Sequence, residues 1–82
     1  MNITELKDEL KAIVKVADKI KNVHGIVAER CGISNVYSQK IRNEKGAKTD
    51  NEENRCLVSS MILEYRKELE KYARSIETIT SN

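Results

Sequence analysis

Three side chains of this sequence are candidates for nucleophilic or acid-base chemistry: His24, Cys31 and Cys56. A catalytic Cys-His pair needs the thiol and the imidazole within hydrogen-bond reach of each other. His24 and Cys31 stand seven residues apart, which is about 10.5 Å along a helix, so a helix over this segment keeps them apart. The chain also has no glycine-rich phosphate loop, no HExxH pair and no carboxylate constellation. We therefore predict that the protein is not an enzyme.

The cysteines do not have the spacing of a metal site either. Cys31 and Cys56 belong to no CxxC pair, so a tetrahedral zinc site would lack ligands. A disulfide between them is unexpected in a reducing compartment. We expect two small buried apolar side chains, and neither a metal nor another cofactor.

The charge pattern is more informative than the total charge. The formal net charge is only +2, but residues 24–48 contain five basic and two acidic side chains. Residues 49–82 carry five basic and seven acidic side chains. Because clustering of Lys and Arg indicates an anionic partner better than a total does, the middle of the chain is the candidate binding segment.

The first element that must position this segment is a helix from Ile3 to about Lys21. Asn2 is its predicted N-cap, with Glu5 three residues on in the capping-box position. Apolar residues recur at spacings of three and four, as one helical face requires: Leu6, Leu10, Ile13, Ala17 and Ile20. A row of lysines follows on the polar side: Lys7, Lys11, Lys15 and Lys19. This row is interpreted as a solvated face, with a phosphate-facing stripe as the alternative.

Two short helices and a loop follow. The segment from Val23 to Cys31 is too short to be stable alone and must be held by packing, and Gly32 ends it. Ser34 is the predicted N-cap of the next helix, Asn35 to about Asn43, with Ile41 facing inward. Residues 44–49, which include Gly46, are predicted to form a loop.

The last element is a long helix over residues 51–79, for which Thr49 is the predicted cap with Glu52 in the capping-box position. Spacings of four and three make a heptad seam of Val58, Ile62, Tyr65, Leu69, Tyr72, Ile76 and Ile79. This seam can pack against the first helix, but the last helix is longer than the first by about eight residues, or ~12 Å. We therefore expect a homodimer whose interface contains Tyr65, Leu69, Tyr72, Ile76 and Ile79.

The composition agrees with these elements. The 82 residues include no Pro, Trp or Phe, and three Gly, which favours helices joined by short connections over strands. We predict a single all-α domain over residues 1–82, a small bundle of about four helices with long first and last members. There is no secretory leader pattern and no apolar run of about 20 residues, so we expect a cytoplasmic protein without membrane contact.

Residues 24–43, HGIVAERCGISNVYSQKIRN, carry the spacing of a helix-turn-helix. A small residue, Ala28, stands where the two helices cross, and Gly32 stands where the chain turns. Apolar positions of the pattern are filled by Val27, Cys31, Ile33 and Ile41. The segment resembles the helix-turn-helix of the Cro/lambda-repressor family, with one departure: Ser38 occupies a position that is usually apolar. A hydrogen bond from Ser38 to a carbonyl one turn back, or a contact from Val36 or Tyr37, are the two ways to compensate.

The resemblance implies sequence-specific binding of double-stranded DNA by a small transcriptional regulator of the kind common in bacteria and phages. The second short helix would enter the major groove. The base-reading positions that it implies are Ser34, Asn35, Val36 and Lys40, with Gln39 reaching either a base or a phosphate. Asn35 can pair with adenine and Lys40 with guanine, and Val36 can touch a thymine methyl. The implied phosphate contacts are His24, Arg42, Asn43, Lys45 and Lys48.

The alternative interpretation is a helical protein-interaction or dimerisation module that does not bind DNA. An Ala-x-x-x-Gly spacing between short helices also occurs in ordinary helical bundles, and the long last helix alone offers a surface for another protein. No small-molecule effector is evident, because a chain of this length leaves no room for a separate effector domain.

Overall fold

The protein folds into four helices without strands in the part of the chain that the structure describes. This structure, a computed structural model, describes the backbone of residues 1–81 and the side chains of residues 1–76. The helices are α1 (Ile3–Ala17), α2 (Val23–Arg30), α3 (Asn35–Arg42) and α4 (Glu52–Ser81). The predicted fold class, a small all-α bundle with long first and last helices, is confirmed.

Helices α1 and α4 lie side by side and run in the same direction. Residues early in α1 contact residues at or before the start of α4, and later residues of α1 contact later residues of α4. The Ile3 amide donates to Asp50 Oδ1 at 3.1 Å, and Glu9 pairs with Arg66. Just beyond the end of α1, the Lys19 ammonium lies 5.5 Å from the centre of the Tyr72 ring. Because α4 has 30 residues, or about 45 Å, its C-terminal part extends past α1.

The hydrophobic core lies between these two long helices and is closed on one side by α2 and α3. Leu10 of α1 and Met61 and Tyr65 of α4 are fully buried. The short helices contribute the buried side chains of Val23, Val27, Ala28 and Ile41. The inward position predicted for Ile41 is confirmed, and Ala28, the small residue predicted at the crossing of the two short helices, is buried.

The helix starts predicted at Asn2 and Ser34 are confirmed, whereas the start of α4 differs. The Asn2 side chain accepts from the Glu5 amide and completes a capping box, and Ser34 Oγ accepts from the Tyr37 amide. Thr49 is not the cap of α4. Asn51 Oδ1 accepts from the Asn54 amide at 2.8 Å, so the cap lies two residues later than predicted.

The predicted end of the first helix is also wrong. The helix ends at Ala17, not near Lys21, with Asp18 as its C-cap. The apolar spacing continues to Ile20, but Ile20 packs against the core from a turn, where its amide donates to the Ala17 carbonyl at 2.9 Å. Asn22 then adopts a left-handed conformation with φ 61°, which redirects the chain into α2.

Candidate nucleic-acid interface

Helix α3 is held at both ends by backbone features that the sequence specifies. Gly32 has φ +70°, the left-handed region in which glycine carries no steric penalty. After α3, the Lys45 and Gly46 amides donate to the Lys40 carbonyl. A side chain at Gly46 would meet Tyr37 and Ile41 at 3.2 and 3.3 Å, so the glycine lets the loop pack directly on α3.

The outward side of α3 presents five of the predicted DNA contacts together. We call this set the outer face: Asn35, Val36, Gln39, Lys40 and Asn43, all exposed. Their spacing places them on one side of the helix because residues three and four apart are neighbours there. Val36 is 62% exposed, although exposure of an apolar side chain to water is unfavourable.

An open groove of about 970 Å³ runs beside the outer face, between α3, α2 and the turn that follows α1. Asn35, Val36 and Gln39 of the outer face line it, as does the predicted phosphate contact Arg42. Glu29 of α2 adds a carboxylate to the same groove. The structure thus brings Asn35, Val36, Gln39 and Arg42 to one open groove, whereas Lys40 and Asn43 of the same helix side do not line it.

Other predicted contacts lie away from this groove. Ser34 is occupied as the N-cap of α3, where its oxygen accepts from the Tyr37 amide at 3.0 Å. Lys45 is exposed in the loop after α3. Lys48 lies near the start of α1, beside Lys7 and Glu44. These lysines therefore extend the positive charge along the molecule rather than deepening the groove.

His24 has a different position from the one expected of a free phosphate contact. Its side chain is half-buried, with Nε2 at 2.8 Å from Asp18 Oδ1 and Nδ1 at 2.8 Å from the Tyr65 hydroxyl. The rings of His24 and Tyr65 meet edge to face, 5.8 Å apart. Because both ring nitrogens are engaged within the protein, the structure assigns His24 to the interior packing of α2 on α4.

Ser38, the departure from the apolar pattern, is completely buried. It is compensated by neither of the two expected ways. Arg42 Nε donates to Ser38 Oγ over a long 3.5 Å contact, one turn along the same helix. The Tyr65 hydroxyl, which hydrogen-bonds His24 Nδ1, is buried as well, and burial raises the pKa of its phenol to about 12.

The structure corrects the lysine row of α1. Lys7 is buried and donates from Nζ to the Gly46 carbonyl, and burial lowers its pKa. Lys11 pairs with Glu44, whose pKa is lowered by hydrogen bonding to that lysine. With Lys19 over the Tyr72 ring, three of the four lysines contact partners within the chain. Neither a fully solvated face nor a phosphate-facing stripe describes the row.

The predicted dimer residues fall into three groups. Tyr65 is 0% exposed, so it belongs to the monomer core and the prediction that it contributes to an interface is wrong. Leu69 is half-buried, whereas Tyr72 and Ile76 are 36% and 46% exposed. The side chain of Ile79 lies outside the described residues.

The two cysteines differ in exposure. Cys31 is half-buried against the core, and burial raises the pKa of its thiol, whereas Cys56 is exposed. The prediction of a buried apolar side chain is therefore wrong for Cys56 and only partly met by Cys31. Among the described residues, no three His, Cys, Asp or Glu side chains are grouped as a metal site would need. No described helix combines the length and apolar character needed to cross a bilayer.

The fold defines a small all-α domain in which α2 and α3 pack on the two long helices. A scan against protein-family models, a search of curated proteins and a search of solved structures found no match to the chain. The likeness to the Cro/lambda-repressor family therefore depends on the residues of the motif itself.

Proposed function

We propose that this protein binds double-stranded DNA sequence-specifically through the outer face of α3 and acts as a small transcriptional regulator. The observation that carries the proposal is the outer face itself. It presents an asparagine amide, a glutamine amide, a lysine ammonium and one apolar side chain on a helix of eight residues, and a second asparagine amide at the C-cap, Asn43. Amide and ammonium groups are the donors that read base edges in the major groove, and an apolar side chain suits the thymine methyl.

The charges around the outer face favour a polyanion. Lys40 and Arg42 lie on α3, and Lys45 follows in the loop. One nearby carboxylate, that of Glu44, is already paired with Lys11, so it opposes a phosphate less than a free carboxylate would. Asp18 and Glu29 both line the groove and are the residues whose charges act against the proposal.

The proposal includes a homodimer formed through the C-terminal part of α4. That part extends past α1 and exposes Tyr72 and Ile76, while the short α3 offers few contacts of its own. A two-fold dimer doubles the contacts and matches a two-fold DNA site. An Ile76→Asp variant is expected to shift the mass measured by light scattering from dimer to monomer at micromolar concentration, whereas Ser75→Asp is not. A wild-type protein that is strictly monomeric would contradict this part.

Salt titration of DNA binding is the primary test. Fluorescence anisotropy with a labelled duplex is expected to show log affinity falling linearly with log salt, by about 0.9 for each phosphate neutralised. Binding without salt dependence, or no binding, would exclude the proposal. The chain would then be better described as a protein-interaction module, the alternative that the exposed residues of α4 favour. As a DNA regulator, the protein would act in the cytoplasm of a bacterial cell.

Two lysine variants separate base reading from phosphate contact. Lys40→Ala is expected to cost about 1 to 3 kcal/mol on a preferred duplex and to relax base preference. Lys48→Ala, the matched control at an implied phosphate contact near the start of α1, is expected to weaken all duplexes alike and to lower the salt slope by about 1. The preferred duplex is obtained by selection from a random pool with the wild-type protein. Equal losses of Lys40→Ala on selected and scrambled duplexes would refute the assigned role of Lys40.

A further inference from the structure

A second groove, with a volume of about 190 Å³, lies between α1 and α3. We call it the α1–α3 groove. Its apolar lining consists of Leu10 and Val14 from α1 and Ile41 from α3. Leu10 and Ile41 are core residues with 1% exposure each, and Val14 is half-buried against the same core. The α1–α3 groove is therefore an opening that leads from the surface to the hydrophobic core.

Basic side chains surround this apolar lining. Lys7, Lys11 and Lys15 follow one another at a spacing of four residues on α1, so they lie along the same side of that helix. Arg42 adds a guanidinium from α3, and Glu44 is the single carboxylate among the lining residues that the structure describes. Because Glu44 pairs with Lys11, the other three cations give the α1–α3 groove a surplus of positive charge.

The contacts of these three cations leave their charges uncompensated. Lys7 Nζ donates to the Gly46 carbonyl, which is neutral. Arg42 Nε donates to Ser38 Oγ at 3.5 Å, which is neutral as well, and Lys15 is exposed. In the described part of the chain, no carboxylate forms an ion pair with any of the three. An ammonium has three donors and a guanidinium has five, so each group retains donors for an anion.

The ionisation of Lys7 and Glu44 agrees with this surplus of positive charge. Burial lowers the pKa of Lys7, and the charges of two neighbouring lysines lower it further, against the opposing effect of Glu44. The hydrogen bond from Lys11 lowers the pKa of Glu44, and the charges of the surrounding lysines act in the same direction. The α1–α3 groove thus already stabilises one carboxylate of the chain in its ionised form, as it would a bound carboxylate.

The volume limits the size of a ligand. The α1–α3 groove is somewhat larger than a cavity of about 150 Å³, which holds one benzene molecule. It is smaller than the pockets of drug-sized ligands, which begin at about 300 Å³. A ring or chain of about six carbon atoms fits this range. An inorganic anion would leave the apolar lining in contact with water, and a neutral hydrocarbon would leave the cations unpaired.

We propose that the α1–α3 groove binds a small amphiphilic carboxylate, which is a ring or short chain that carries one carboxylate group. The apolar part of the ligand contacts Leu10, Val14 and Ile41. The carboxylate accepts from Lys15 and from Arg42, whose planar guanidinium matches the two carboxylate oxygens. Burial of the apolar part supplies affinity, and the cations select the anionic form. This site does not depend on the proposed DNA binding and is tested without DNA.

The primary test is a titration of the full-length, isotope-labelled protein with hexanoate at neutral pH and constant ionic strength, followed by the amide signals in NMR spectra. The controls are hexanamide, which keeps the chain without the charge, and acetate, which keeps the charge with one methyl group. Hexanoate is expected to bind saturably, at least about tenfold more tightly than either control, and to shift the signals of residues 10–15 and 41–44 most. Lack of saturation, saturable shifts elsewhere in the chain, or a control that binds as tightly as hexanoate would each overturn the proposal.

A pair of lysine variants tests the charged part of the site. Lys15→Gln removes one cation of the α1–α3 groove, and Lys21→Gln makes the same change at an exposed residue outside it. Lys15→Gln is expected to weaken hexanoate binding about fivefold, as loss of one exposed ionic contact would, and to leave the affinity for hexanamide unchanged. Lys21→Gln should retain the wild-type affinity for hexanoate. Equal losses in the two variants would show a general effect of net charge and contradict the site.

A pair of valine variants tests the apolar part. Val14 lines the α1–α3 groove, whereas Val16 does not line it and is 50% exposed. A phenylalanine at position 14 fills the groove, so Val14→Phe is expected to weaken hexanoate binding more than about tenfold, as loss of the apolar burial of a short chain would. Val16→Phe should bind as the wild type does. Circular dichroism monitors the helices of both variants.

Undiminished hexanoate binding by a folded Val14→Phe protein would overturn the proposal. If Val14→Phe does not fold, the comparison of Lys15→Gln with Lys21→Gln decides the proposal by itself, because both lysines are exposed.

Discussion

The α1–α4 pair and the α2–α3 pair are built on different physical principles. The long helices pack through a continuous apolar surface in which Leu10, Val58 and Met61 are fully buried. The short helices depend on left-handed residues at their ends, Asn22 and Gly32, and on the hydrogen bonds of His24 with Asp18 and Tyr65. The outer face that we propose for DNA is thus carried by the pair with the smaller apolar contribution. Apolar packing tolerates small shifts, whereas the polar contacts of the second pair specify one arrangement.

The largest expected effect is a core deletion in the first pair. Leu10→Ala removes a side chain that is 1% exposed and should lower the free energy of unfolding by about 2 to 5 kcal/mol. Urea denaturation followed by circular dichroism measures it. Leu63→Ala, at a residue that is 52% exposed, serves as the control and should change stability by less than about 0.5 kcal/mol. If both variants lose the same stability, the apolar surface is not where the structure places it.

An alkaline titration tests a polar contact between the two pairs, the hydrogen bond between His24 of α2 and Tyr65 of α4. Burial raises the folded-state pKa of Tyr65 to about 12, above the ordinary value of about 10. The stabilisation linked to this shift is complete below about pH 10 and is lost as the pH rises towards 12, by about 2 to 3 kcal/mol in total.

The measurement is urea denaturation of wild type and Tyr65→Phe at about pH 9 and about pH 11.5. The wild type should lose more stability than the variant between these conditions. Because Lys and Cys residues titrate in both proteins, the difference between the two isolates Tyr65. Equal losses would show that the phenol is not buried in the folded state.

Two glycine substitutions within the second pair should change the stability of the protein in opposite directions. Gly32 has φ +70° with open space around it, so Gly32→Ala should cost about 1 to 2 kcal/mol through backbone strain alone. Gly25 lies inside α2, and a side chain there would meet only Asn35 Oδ1 at 3.8 Å. Gly25→Ala should therefore stabilise by up to about 1 kcal/mol. Thermal melts of both variants test this prediction. A change of melting temperature in the same direction in both variants would contradict the turn geometry.

The smallest expected effect concerns the ionic contact between the two pairs. Arg30 of α2 donates to Glu68 of α4 at 3.1 Å. Burial raises the pKa of Glu68, but hydrogen bonds from Lys71 and Arg30 outweigh it and lower the pKa overall. Glu68→Gln should cost about 1 kcal/mol, between the values for surface and buried pairs. The measurement is the urea denaturation midpoint. Glu70→Gln, in an exposed pair with Arg74, is the control, and its midpoint should change little.

Local signals predicted the fold, and long-range contacts determined the details that the sequence did not reveal. The caps at Asn2 and Ser34 depend on neighbours three residues away, so spacing alone located them. The heptad spacing predicts an interface position for Tyr65, because the same spacing occurs in helices that pack within a monomer and in helices that form a dimer. Its contact with His24 spans 41 residues, and no local pattern shows it. The same holds for Lys7, which reaches the Gly46 carbonyl.

The candidate site also contains residues that local spacing predicts and residues that depend on long-range contacts. The outer face of α3 follows from helical spacing once the helix is placed, so Asn35, Val36, Gln39, Lys40 and Asn43 were predictable as a set. His24 was not, because its exposure depends on the path of the chain after α1. Whether the outer face binds DNA remains a prediction that the titrations above decide.

The buried hydroxyl of Tyr65 has an evolutionary consequence. It lies 2.8 Å from His24 Nδ1, so replacing His24 with an apolar residue leaves a fully buried hydroxyl without its partner, and replacing Tyr65 with phenylalanine leaves Nδ1 without one. Lineages of this domain should therefore change positions 24 and 65 together, and single replacements at either position should be rare.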